Sequence, residues 1–197
     1  MISNFKKILE PIIAIIAYPF LSWNPSILTW LSLVAAILFF VGVLSHVYWL
    51  SIVSILGFLF DVLDGHVARA QKKVTAYGGF LDSTLDRASD FFFITSFGFA
   101  RIVSWEIVVF VLTTSFLISY MRSRGDLAFG LGHAPAEGLI QRPERILLLL
   151  LAFFVYLLLP TAELFHLPPV NLIFLLILLL NCITLIQRFL FFAKVKK

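Results

Sequence analysis

Apolar residues in this chain do not alternate with polar ones at short period. They come in long blocks near residues 25–45, 48–68, 80–100, 104–121, 144–160 and 169–191. A helix needs about 20 predominantly apolar residues to cross a bilayer, so the pattern predicts six spans. The breaks are informative. Ser45-His46-Val47, residues 101–105 and residues 160–169 are short turns, and residues 123–142 form the longest polar segment. The expected fold is all-α: a polytopic six-span bundle over 25–191, within one membrane domain covering 1–197. Ahead of it, Phe5, Ile8, Leu9, Ile12, Ile13 and Ile16 recur at helical spacing. They predict an N-terminal amphipathic helix over 2–18, lying at the membrane interface, in which Pro11 removes one backbone donor. Glu10, Pro11 and Pro19 interrupt the first apolar stretch, so no cleavable signal is expected.

Composition agrees with the pattern. Hydrophobic residues make up 61% and charged ones 13%, with a mean hydropathy of +1.02; soluble domains carry about 25% charge. The lone Cys182 excludes an intrachain disulfide and is expected to be a small core residue. Trp23, Trp30, Trp49 and Trp105 mostly fall near span ends, as an aromatic belt requires.

The basic residues sort to one side of the predicted spans. Lys6 and Lys7, then Arg69, Lys72 and Lys73, then Arg122, Arg124, Arg142 and Arg145, then Arg188, Lys194, Lys196 and Lys197 share that side, leaving Arg101 opposite. Positive-inside bias places both termini in the cytoplasm. The net charge of +4 therefore reads as topology and contact with anionic lipid in the cell membrane, and no nucleic-acid partner is expected.

The acids break the pattern. Asp61, Asp64, Asp82, Asp86 and Asp90 lie at or inside span ends, where an acid at mid-bilayer costs about 2.5–3.5 kcal/mol by insertion scales. Asp61 and Asp64 are three apart on one helix face, and Asp82 and Asp86 four apart on the next. A short loop makes these helices antiparallel neighbours, so both pairs converge at the cytoplasmic end. Four converging carboxylates repel unless a cation joins them, and all-oxygen ligation suits a hard divalent ion such as Mg2+ or Mn2+. Gly65, Gly78 and Gly79 remove side chains beside the acids and permit close approach of a ligand or helix. Spacing alone leaves two readings open: a metal-dependent enzyme, or an ion or proton pathway.

The order of these residues resembles the CDP-alcohol phosphotransferase signature, D-x2-D-G-x2-A-R-x8-G-x3-D-x3-D. Here it reads Asp61, Asp64, Gly65, Ala68, Arg69, Gly78, Asp82 and Asp86, every spacing intact. NPSILTWLS at 24–32 is similar to the family's opening of the first span. SYMRSRGD at 119–126, GLIQRPER at 138–145 and Arg188 in LIQRF resemble the subgroup that uses inositol phosphate as acceptor, the phosphatidylinositol-phosphate and archaetidylinositol-phosphate synthases.

The resemblance implies an enzyme that moves a phosphatidyl-type group from a CDP-lipid to an alcohol and releases CMP. It assigns the metal to Asp61, Asp64, Asp82 and Asp86, and the general base to Asp86. It assigns the CDP-lipid to Ser26, Thr29, Asp61, Gly65, Ala68, Arg69, Thr75 and Gly78, with Arg122, Arg145 and Arg188 on the acceptor phosphate and Arg124 and Arg142 nearby. It also implies a homodimer. The arginines themselves favour a phosphorylated acceptor, because planar forks from several directions suit a phosphate dianion. Inositol 1-phosphate is the expected acceptor, and glycerol 3-phosphate is its rival.

Overall fold

The computed structural model describes residues 11, 13–130, 138–164 and 166–195. Most of the expected interfacial segment 2–18 lies outside them; residues 13–17 are helical and lead into a 3-10 turn at Tyr18–Phe20, where Pro19 sits. Among the described residues every regular element is helical. The helices are α1 (Pro25–Leu44), α2 (Tyr48–Ile55), α3 (Leu59–Ala70), α4 (Ala76–Phe99), α5 (Trp105–Phe129), α6 (Arg142–Leu158) and α7 (Pro169–Val195). Among the described residues four stretches are long and apolar enough to cross a membrane: Pro25–Leu44, Tyr48–Ala70, Trp105–Phe129 and Pro169–Val195. The other two expected spans are helices as well. However, α4 carries Asp82, Asp86, Arg87 and Asp90, and α6 has 17 residues and opens on Arg142, Glu144 and Arg145.

The chain divides into two compact units, Met1–Ser96 and Phe97–Lys197. In the first, α1 packs on α2 and α3. The second predicted span is broken: α2 and α3 are joined by a 3-10 turn, Leu56–Phe58, and such a turn inside a helical stretch is a frequent local adjustment. It sits where the backbones approach closely, since a Cβ on Gly57 would collide with that of Ala35. Phe93 stacks on Phe39, with ring centroids 4.4 Å apart, and meets Phe58 at 4.2 Å. Ala17, Leu28, Leu63 and Val67 form a buried cluster that ties the segment before α1 to α1 and α3.

In the second unit, α7 packs on α5 and α6. Its buried stripe reads Val170, Phe174, Ile177, Asn181, Thr184 and Arg188, alternating steps of four and three, as a helix–helix seam requires. The stripe is apolar in its first half and polar in its second. Asn181 Nδ2 donates to Thr114 Oγ1 (3.0 Å) and Ser115 Oγ (3.1 Å) on α5, a polar link of the kind that joins helices in lipid. Nearer the end of α7, the Phe192 ring occupies the space a Cβ on Gly125 would take.

Two expectations change. The polar segment 123–142 is helical as far as Phe129, because α5 runs on past its apolar block. Cys182 is exposed rather than part of the core, because it follows Asn181 and falls off the buried stripe. The four tryptophans are exposed, between 42% and 66%, as lipid-interface anchors are.

Candidate active site

Helix α3 ends at a turn that shapes the site. Lys72 takes a left-handed φ of 55°. Its N–H donates to the Arg69 carbonyl (3.1 Å), and the Lys73 N–H to the Ala68 carbonyl (2.9 Å). This is a Schellman termination made without glycine. Thr75 then caps α4, its Oγ1 accepting from the Gly78 N–H at 3.0 Å. The Gln71 amide nitrogen donates to the carbonyls of Leu21 and Trp23, both at 2.7 Å. This binds the approach to α1 against the end of α3.

These elements enclose a cavity of about 560 Å3, within the size range of small-molecule sites. Ser26, Thr29, Gly65, Ala68, Arg69, Thr75 and Gly78 line it, as does the carboxylate pair Asp64 and Asp82. Of the residues assigned to the CDP-lipid, only Asp61 is absent from the wall. Asn24, Lys73, Val74 and Gly79 also line the cavity. Sequence reasoning missed Asn24 and Lys73 as wall residues, although Asn24 opens the NPSILTWLS segment and Lys73 lies in the variable stretch between Arg69 and Gly78. Asn24 Oδ1 accepts from the Ser26 N–H at 3.1 Å and caps α1. A Cβ on Gly65 would lie 3.2 Å from Arg69 Nη1, so the bare backbone there leaves room for the guanidinium folded over it.

At the cavity's edge, Asp61 on α3 and Asp82 and Asp86 on α4 each present a carboxylate oxygen, all within 4.8 Å of one another. All three side chains are half-buried. Three anions this close in a partly dry setting repel, and a hard divalent cation is the group whose chemistry suits them. The donor set thus fits a metal. Asp64 lies outside this trio. It is 6% exposed, and its Oδ2 accepts the Thr29 hydroxyl at 2.6 Å. Arg87 Nη1 donates to the Ser83 carbonyl on its own helix.

The second unit gathers the arginines. Arg145 on α6 is 1% exposed and Arg188 on α7 is 5% exposed. Arg188 senses the positive charges of both Arg122, on α5, and Arg145. Its Nη1 donates to the Ile118 carbonyl at 2.5 Å. Three cations from three helices therefore approach one another with two of them buried, an arrangement that suits an anionic ligand. Arg122 and Arg124 are exposed near the end of α5, and Arg142 is half-buried in the first turn of α6.

Comparison with known proteins gives a consistent picture. Residues 22–193 match the family described as CDP-alcohol phosphatidyltransferase. Archaetidylinositol phosphate synthase of Pyrococcus horikoshii is 41% identical over 101 residues, which cover 51% of this chain and 53% of that protein. Phosphatidylinositol phosphate synthase of Mycobacteroides abscessus is 33% identical over 125 residues, covering 60% and 54%. The chain thus spans about half the length of the curated relatives it matches. Among solved structures, phosphatidylinositol phosphate synthase of Mycobacterium tuberculosis with CDP-DAG bound superposes with a TM-score of 0.68 at 28% identity, over 91% of this chain and 92% of that one. The same enzyme in complex with manganese and citrate gives 0.69 at 27% identity, over 92% and 88%.

Proposed function

Since this chain belongs to the CDP-alcohol phosphatidyltransferase family, we propose that it transfers the phosphatidyl-type group of a CDP-lipid to a hydroxyl of inositol 1-phosphate, releasing CMP. The observation that carries this reading is the carboxylate trio of Asp61, Asp82 and Asp86 at the edge of a cavity walled by Arg69. The names of the relatives, and the CDP-DAG and manganese complexes of the mycobacterial enzyme, support it.

Asp61, Asp64, Asp82 and Asp86 would hold Mg2+ or Mn2+, which supplies neutralisation of diphosphate charge when bound. Arg69 neutralises the diphosphate from the cavity wall. Ser26, Thr29, Gly65, Ala68, Thr75 and Gly78 take the nucleotide part of the CDP-lipid. Asp86 accepts the proton of the acceptor hydroxyl as the oxygen attacks the lipid-side phosphorus; the bond to the CMP oxygen breaks and CMP departs. Phosphoryl transfer needs chiefly positioning and charge stabilisation, and these residue types provide both. Arg122, Arg145 and Arg188 hold the acceptor phosphate, and Arg124 and Arg142 add positive charge at the cytoplasmic side.

The same reading extends to topology. All six helical spans cross the cell membrane as a single domain, α4 and α6 included, because acids and arginines at span ends sit where water reaches them. The segment 2–18 lies at the interface, the site and both termini face the cytoplasm, and the protein works as a homodimer.

The test is CMP release by the purified protein in lipid vesicles. Inositol 1-phosphate, glycerol 3-phosphate, inositol and serine are offered in parallel, with chelator and with Mg2+ or Mn2+ restored. Metal-dependent CMP release with inositol 1-phosphate is expected. A preference for glycerol 3-phosphate would move the reading to the rival acceptor, and ion flux without CMP would replace it with a transport role.

A further inference from the structure

The turn that delivers Arg142 and Arg145 is held by side chains of α7 that neither the motif nor the proposed chemistry uses. The Leu139 N–H donates to Gln187 Oε1 at 3.0 Å, and the Ile140 N–H donates to Thr184 Oγ1 at 3.1 Å. Both amides precede the first turn of α6, where no helical carbonyl can accept them. Ile140 is 1% exposed and Thr184 is fully buried, so the Ile140–Thr184 bond forms away from water and is costly to leave unmade, whereas the Leu139–Gln187 bond lies at the exposed side of the turn.

The fit is also steric. Gly138 has a φ of 137°, and the Thr184 side chain fills the place its Cβ would take. Directly after, Gln141 and Glu144 close a capping box, with Glu144 Oε2 accepting from the Gln141 N–H at 3.0 Å. The run from Gly138 to Arg145 is therefore pinned at both ends, to α7 first and to its own helix second. Arg188 follows Thr184 by one helical turn on the same buried stripe.

We propose that Thr184 and Gln187 are positioning residues for the acceptor-phosphate site: they fix the start of α6 against α7 and so hold Arg145 beside Arg188. This rests on the reading that these arginines take the acceptor's phosphate. Arg145 and Arg188 carry like charges, and like charges brought together at a buried site favour motions that separate them. Bonds from α7 to the α6 turn oppose that motion before substrate arrives, so the binding energy of the phosphate is not spent on gathering the cations.

The test uses the full chain in lipid nanodiscs, with two readouts: CMP release against each substrate, and calorimetric binding of inositol 1-phosphate. Thr184→Val keeps the shape and removes the acceptor oxygen; Gln187→Met does the same on the half-buried side; Thr184→Ser keeps the oxygen. The double variant Thr184→Val/Gln187→Met is expected to weaken inositol 1-phosphate binding and raise its KM by about tenfold, the loss of two modest hydrogen bonds. The KM for CDP-lipid should stay put, and Thr184→Ser, which keeps the oxygen but loses the methyl packed on Gly138, should lose far less than Thr184→Val. If Thr184→Val does not purify folded, Gln187→Met alone carries the same expectation at smaller size. Acceptor binding that survives in the variants overturns the proposal alone, as does a fall in kcat with both KM values unchanged. Absence of inositol 1-phosphate binding by the wild type overturns the acceptor reading and the proposal together.

Discussion

Thr29 on α1 donates its hydroxyl to Asp64 Oδ2 on α3 at 2.6 Å, with both side chains buried and 35 residues apart in sequence. The bond joins the NPSILT segment to the phosphotransfer signature across a helix–helix contact, on the wall of the cavity. Thr29 thus orients an acid in addition to lining the site. Thr29→Val, nearly isosteric, leaves Asp64 Oδ2 without that donor. A loss of about 1–3 kcal/mol in stability is expected, and Thr29→Ser should restore it. Thermal unfolding of the three proteins in one detergent decides this; equal melting temperatures for Val and Ser would remove the bond from the account.

Asp86 is half-buried within the trio it forms with Asp61 and Asp82. Asp86→Asn keeps the volume and removes the base. CMP release should fall by about 10²–10⁴-fold, with the melting temperature held or raised because one of three mutually repelling charges is gone. A variant that retains most of its rate would transfer the base role to another group.

Two glycines separate packing from ligand access. Gly57→Ala pushes a methyl group into the Ala35 side chain, whereas a Cβ on Gly79 would meet nothing within 4 Å. Gly57→Ala is expected to cost about 1–3 kcal/mol of stability by overpacking. Gly79→Ala, inside helix α4, is expected to gain up to about 1 kcal/mol. Gly79 lines the cavity, so any effect of Gly79→Ala on activity should appear in the KM for CDP-lipid. Denaturation midpoints and paired substrate titrations resolve the two.

Arg145 is nearly wholly buried at the start of α6. Arg145→Ala should raise the acceptor KM at least about tenfold, the scale of one lost charge-assisted contact, and move the CDP-lipid KM far less. Arg124→Ala, at an exposed position, should shift the acceptor KM less than Arg145→Ala does. A reversed ranking would show that the buried arginine is structural.

Much of this protein is determined by its sequence alone, because the governing physics is local. Blocks of apolar residues become helices since a backbone in lipid must satisfy its own hydrogen bonds. The spacing Asp61-x2-Asp64 and Asp82-x3-Asp86 places each pair on one helical face. Spacing alone leaves the reaction class open; the resemblance of those residues, in that order, to the CDP-alcohol phosphotransferase signature is what points to it. What tertiary structure decides depends on contacts between segments distant in the chain. It selects Asp61, Asp82 and Asp86 as the trio and ties Asp64 to Thr29, a distinction the spacing of the signature does not contain. It ends α3 on Lys72 in a left-handed turn where sequence rules look for glycine, with two backbone bonds offsetting the strain of one residue. It turns Cys182 outward and buries Asn181, its neighbour, because the stripe that meets α5 runs through one and misses the other. It also brings Thr184 and Gln187 to a turn over 40 residues away, a relation that only the packing of α7 on α6 creates.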